Sequence, residues 1–162
     1  MNGHVAGLSI KPETRGEAGL PKLPVASVQL SLTGAGGDYN RYRTRQLAGD
    51  PDSAVLLLTQ DILEELREEG WPIAAGDLGE NVLLAGIPAA ALQPGRRLRL
   101  GGAQIEITRA CDPCTELYLL PYVGTARGPE FLRTMQGRRG WYARVLEAGV
   151  VERGDPAQVI SV

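Results

Sequence analysis

The chain has 162 residues, enough for one domain with a sizeable core and too few for a multi-domain enzyme. Lys+Arg 17 against Asp+Glu 19 gives a net charge of -2 and a pI near 5.5, so no large electrostatic term supports sequence-independent binding to nucleic acid or an acidic membrane surface. Gly 21 plus Pro 11, with few aromatics, favours many turns and short strands over a helical bundle, so a mainly β fold is expected.

Met1 to Gly16 holds no apolar signal core, and the longest aliphatic run, Ala54 to Leu58, falls far short of the roughly 20 residues that cross a bilayer. A soluble, cytoplasmic protein is expected. His4 lies at the start of a probable strand. Val28, Leu30 and Leu32 alternate with Ser27, Gln29, Ser31 and Thr33, the period-two signature of a strand with one buried face. A turn follows at Gly34-Ala-Gly-Gly, and the polar stretch Asp38 to Gln46, carrying Arg41, Arg43 and Arg45, reads as a surface loop or edge segment.

Ala54 to Leu58 has strand length and runs into Thr59, a good N-cap for a helix from Gln60 to Glu69 with Gly70 as its stop. Ile62, Leu63 and Leu66 form its apolar stripe. Glu80 to Leu84 reads as a strand, and Arg97 to Leu100, Gly101-Gly102 and Ala103 to Thr108 make a hairpin. Pro129 at a first helical position and Gly137 past the end bracket a short helix over Glu130 to Gln136. Trp141 to Leu146, Val150 to Glu152 and Gln158 to Val162 read as closing strands. Gly-Asp marks expected turns at Gly37, Gly49, Gly76 and Gly154. With no Gly-rich phosphate loop after a strand, a doubly wound fold is disfavoured, and a small mixed-strand β-barrel with a few short peripheral helices is expected as a single unit.

The inventory forbids several chemistries. Two cysteines, Cys111 and Cys114, and one histidine, His4, cannot complete a closed zinc site or an iron–sulfur cluster within one chain. Any triad would need His4 as its base, against a solvated or structural role for it. Cys111-Asp-Pro-Cys114 follows a strand directly, where a reactive thiol or an exchangeable disulfide is commonly placed, the plain alternative being two small buried residues. Lys11 and Lys22 are the only lysines, so the basic residues are mostly arginines. Arg41, Arg43, Arg138 and Arg139 could supply forked donors to a phosphate or stand solvated on the surface. Asp77 and Glu80 could suggest a hard-metal site, and a turn carrying acidic residues accounts for them equally well.

Several segments, in order, resemble the MOSC domain family, named after the C-terminal domain of molybdenum cofactor sulfurase. They are Gly37-Asp38, Ala54 to Leu58 with its helix, Gly76-Asp-Leu-Gly-Glu-Asn81 continuing to Leu84, Gln93 to Gly101, Pro113-Cys114 with Leu117, and Gly140-Trp-Tyr-Ala-Arg-Val145 ending at Gly154-Asp155. The resemblance implies a β-barrel-like fold and makes Cys114 the functional thiol, either a ligand to molybdenum held by a pterin or a carrier of persulfide sulfur. It implies the molybdenum cofactor (molybdopterin), with Arg41, Arg43, Arg138, Arg139, Glu80 and Asn81 as cofactor-binding candidates. Cys111 is an addition to the family's pattern, a second catalytic candidate that could resolve a persulfide on Cys114 as a disulfide or be incidental. Thr115 and Glu116 stand where many relatives have a basic residue after Pro-Cys, and Tyr39-Asn40-Arg41 where many have histidines.

In some relatives the activity is reduction of N-hydroxylated compounds, and cofactor or metal–sulfur cluster sulfuration is the companion expectation. Pyridoxal phosphate enters only at family level, because a chain of this size has no room for a desulfurase domain. A sulfur donor or electron-transfer protein must therefore be a separate partner, acting with a small-molecule substrate and without nucleic acid or membrane, and a homodimer is compatible with the sequence. Two alternatives stand beside this: a thiol–disulfide module working through Cys111 and Cys114, and a non-catalytic module binding an anionic ligand near Arg41, Arg43 or Arg138.

Overall fold

The computed structural model describes residues 1–17, 19–39 and 48–160. Its strands are β1 (Asn2–Ile10), β2 (Leu23–Pro24), β3 (Ser27–Ser31), β4 (Gly34–Ala35), β5 (Val55–Thr59), β6 (Val82–Ala85), β7 (Arg97–Leu100), β8 (Ala103–Ala110), β9 (Trp141–Glu147), β10 (Gly149–Glu152) and β11 (Pro156–Ile160). The helices among the described residues are α1 (Gln60–Glu68) and α2 (Gly124–Thr134), with short 3-10 turns between elements. The strands β11-β7-β8-β9-β5-β6-β1 form a barrel that closes where β1 pairs with β11. It is mixed: β5 and β6 run parallel, and the other neighbours are antiparallel. Strands β10, β3 and β4 make a separate small sheet.

The parallel pair is what α1 makes possible, because a crossover between parallel strands needs a long connection. That crossover also explains the unbroken run of apolar residues in β5, which is buried on both faces. Val55 and Leu57 point into the barrel with Val82, Leu84, Leu98, Ile105 and Val145. Leu58 points outward to a second core, where Ile62, Leu63 and Leu66 of α1 meet Trp71, Phe131 and Met135. Trp71 packs edge-on against Phe131 with centroids 4.6 Å apart, and Arg127 lies 4.0 Å over the Trp71 ring.

The barrel and the expected hairpin are as the sequence implies, with β7 and β8 in register from Arg97 opposite Glu106 to Leu100 opposite Ala103. The four Gly-Asp glycines adopt the left-handed backbone, φ +80° at Gly37, +76° at Gly49, +91° at Gly76 and +94° at Gly154. Three local readings are corrected. The second helix begins at Gly124, not Glu130, and contains Pro129; within it Gly128 packs against the Tyr118 ring, which a Cβ would meet at 2.4 Å. Thr59 occupies the N-cap of α1 without a side-chain cap bond, and its hydroxyl is buried without a partner. Asp38, expected in a surface loop, has a buried side chain. The rest of that stretch, including Arg41, Arg43 and Arg45, lies outside the described residues.

Candidate functional site

Strand β8 ends at Ala110, and the chain turns out of the sheet as Cys111-Asp-Pro-Cys114. The Cys111 amide donates to the Gly140 carbonyl at 2.8 Å, which ties this turn to the start of β9. Gly140 has φ +103°, and a Cβ there would stand 2.4 Å from the Leu57 carbonyl oxygen, so the approach requires glycine. The buried Cys111 thiol packs with Leu56 and Tyr142, whereas Cys114 is exposed. Burial, then the Cys111 thiol beside it, push the Tyr142 phenol upward in pKa, opposed by the Arg139 and Arg109 guanidinium groups.

Both thiols line one cavity of about 260 Å³ on the outside of the barrel, with Leu56, Tyr142, Lys22, Arg109 and Arg139. A second hollow of about 650 Å³ adjoins it and shares Gly19, Tyr39 and Glu116. Its rim carries Lys11 and Glu17, which form an ion pair with each other. The wall is therefore cationic on the barrel side and opens beside an exposed thiol.

Each cation on that wall is held differently. Lys22 Nζ donates to Asp38 Oδ2 at 2.6 Å, with both side chains buried. The same Asp38 oxygen accepts from Asn81 Nδ2 at 2.9 Å, and Asp38 Oδ1 accepts from the Lys11 amide at 2.8 Å. Asn81 also accepts from the Leu56 amide at 3.1 Å and donates to the Ser9 carbonyl at 3.3 Å. The Gly-Asp and Leu-Gly-Glu-Asn segments, distant in sequence, thus meet in one buried network behind the cavity. Arg109 donates to Ser53 Oγ at 2.5 Å, faces Asp50 at 3.7 Å and lies 4.8 Å over the Tyr142 ring. Arg139 donates from Nη1 to the Leu78 carbonyl, while its buried Nε has no partner.

Glu80 lies behind Arg139 and is almost wholly buried. Its Oε1 accepts from the Gly76 amide and its Oε2 has no partner. Burial lifts its pKa to about 7, against the lowering effects of backbone amides and the Arg139 guanidinium. Tyr122 donates to Asp77 at 2.8 Å, and burial with that bond raises the phenol's pKa.

Of the sequence candidates, the structure brings Cys111, Cys114 and Arg139 to the cavity wall. Glu80 and Asn81 stand behind that wall. Arg138 is elsewhere, joined to Glu69 at 2.9 and 3.0 Å and to the Thr134 carbonyl. Arg41 and Arg43 lie outside the described residues. His4 is exposed on β1, away from the cavity lining. Among the described residues no group of three or more His, Cys, Asp or Glu is placed to hold a metal ion, so Asp77 and Glu80 form no hard-metal cage. Sequence reasoning missed Lys22, Arg109 and Tyr142; the scarcity of lysine was the one signal at Lys22, since both lysines end in carboxylate pairs.

The fold is a mixed seven-stranded barrel, and the MOSC domain family model matches residues 44–158. The chain belongs to the MOSC domain family. Its fold is similar to that of the YuaD protein from Bacillus subtilis, with a TM-score of 0.82 at 22% identity over 100% of this chain and 97% of that one. It is also similar to YiiM from Geobacillus stearothermophilus, with a TM-score of 0.74 at 23% identity over 98% of this chain and 75% of that one. YiiM from Escherichia coli gives 0.68 at 22% identity over 100% and 71%. No curated protein matches the sequence. No helix among the described residues is long and apolar enough to cross a membrane.

Proposed function

We propose that this MOSC protein works through Cys114 as a ligand for the molybdenum cofactor, with the cavity beside it receiving the substrate. The observation that carries the reading is the exposed Cys114 thiol on the wall of a cavity that also presents Arg139, Lys22 and Arg109. The donor set fits the group: a thiolate is a soft metal ligand, and a buried guanidinium with an unpartnered Nε suits an anionic pterin phosphate. When bound, the metal supplies the redox chemistry, as in reduction of N-hydroxylated compounds. The chain's own residues do the rest. Leu56 and Tyr142 form the apolar side of the pocket, Asp38, itself held by Asn81, fixes Lys22, and Cys114 projects to solvent where a partner can reach it. An electron-transfer protein is the partner this reading requires, because two cysteines cannot hold a cluster of their own.

Persulfide carriage on Cys114, fed by a separate sulfur donor, is the second reading, favoured by the exposure of that thiol beside a buried one on the same wall. Comparing Cys114→Ser with Cys111→Ser separates these roles from a dithiol exchange module. Loss of bound molybdenum or of persulfide mass in Cys114→Ser, with a milder effect in Cys111→Ser, is expected. Equal loss in both variants contradicts a single functional thiol and points to the dithiol.

A further inference from the structure

We propose that Glu116 is a specificity-determining residue of the Cys114 cavity and selects a substrate that carries an organic cation, a protonated amine on an apolar body. This rests on the reading of that cavity as the place where substrate is received, and it names the substrate's class. Gly19, Tyr39 and Glu116 line both the inner cavity of about 260 Å³ and the outer hollow of about 650 Å³, so they stand where the two spaces meet. The inner cavity is small for an organic ligand, and the outer hollow is what accommodates the rest of one. A ligand that reaches from the outer hollow to the thiols passes Glu116.

The turn that follows Cys114 sets this carboxylate in place. Thr115–Leu119 is a 3-10 turn, in which residues three apart lie one above the other. Leu117 and Leu120 are such a pair and are buried in the second core, which leaves Glu116 and Leu119 as the pair on the side of the outer hollow. Leu119 is 50% exposed there. Tyr39 is brought to the same junction by its amide, which donates to the Lys11 carbonyl at 2.9 Å. Among the described residues, neither a hydrogen bond nor an ion pair holds the half-buried Glu116 carboxylate. The other charges on the outer hollow are Lys11 and Glu17, which pair with each other, and Glu13 and Arg15, which are exposed on the rim. A carboxylate without a cation of its own, beside a tyrosine and an exposed leucine, is suited to an ammonium group on an apolar body. On the inner wall Lys22, Arg109 and Arg139 repel an ammonium, while Asp112 is exposed at its edge. The ligand is therefore oriented with its uncharged end toward the thiols and its ammonium group at Glu116.

Benzylammonium and benzyl alcohol share a ring and a size and differ in charge at about pH 7, so the pair probes the junction directly. In NMR titrations the wild type should bind benzylammonium about fivefold more tightly than benzyl alcohol. Glu116→Gln should bring the two within about twofold while leaving the alcohol's affinity in place, which also reports that the variant is folded. Glu116→Lys should reverse the order, favouring phenylacetate over benzyl alcohol. Glu13→Gln removes the same charge from the rim and should keep the wild-type preference, which separates a local contact from the general field of the surface. Equal binding of the two probes by the wild type, no binding of benzylammonium, a preference that survives Glu116→Gln, or an equal loss in Glu13→Gln overturns the proposal. Molybdenum content tests the Cys114 reading, and the cation preference should persist in Cys114→Ser, so the two can fail independently.

Discussion

Glu80 shows how burial of one carboxyl couples stability to pH. Its unfolded pKa is the ordinary carboxylate value of 4.5, and burial raises it to about 7 in the folded chain. Between those values the folded state binds more protons than the unfolded one, so the contribution to stability is full below about 4.5 and is lost as pH rises through about 7. The loss amounts to about 3 kcal/mol. Glu80→Gln keeps an acceptor for the Gly76 amide without the ionisable group. Urea unfolding should show it more stable than the wild type at about pH 8 and close to it at about pH 5; the reverse order contradicts the account. Asp38→Ala leaves Lys22 charged and buried without its partner, and should cost about 3 to 5 kcal/mol by the same unfolding measurement.

Secondary elements bring these residues together by close backbone approaches and covered faces. On α1, Leu63 and Leu66 are fully buried against the second core, so Leu66→Ala should cost about 3 kcal/mol by cavity formation, read as a lower denaturant midpoint with an unchanged slope. On β1, a Cβ at Gly3 would stand 2.1 Å from the Ala85 carbonyl oxygen, so Gly3→Ala should cost about 2 to 3 kcal/mol and loosen the β1–β6 pairing; retained thermal stability would contradict that register. At this scale the sequence is most legible where local pattern and turn chemistry agree. The β7–β8 hairpin, the apolar stripe of α1 and the Gly-Asp turns follow from period and glycine placement. The start of α2 does not, because Pro129 is a boundary signal that the Gly128–Tyr118 contact and the packing of Phe131 override. Leu56 is equally opaque: within a run buried on both faces, alternation cannot say that it faces the thiols.

Across the whole molecule, the barrel acts as a frame that leaves the candidate site on the outside. Closure of β1 on β11 fills the interior with aliphatic side chains, while the ends of β5, β8 and β9 carry Leu56, Cys111 and Tyr142 to the outer wall. The cysteine motif announces the thiols in the sequence. Arg139 and Arg138 are neighbours there, yet folding sends one into the cavity and the other to Glu69, which no residue-type argument separates. Lys22 and Arg109 reach the same wall from distant segments, and only the closed barrel makes them neighbours. The central claim is that this wall presents Cys114 to the molybdenum cofactor. Its most direct test is molybdenum per chain in protein purified without oxygen from a host that makes the pterin cofactor, comparing wild type with Cys114→Ser. Near-stoichiometric metal in the wild type and its loss in the variant is the predicted result; equal metal in both, or none in the wild type, contradicts it.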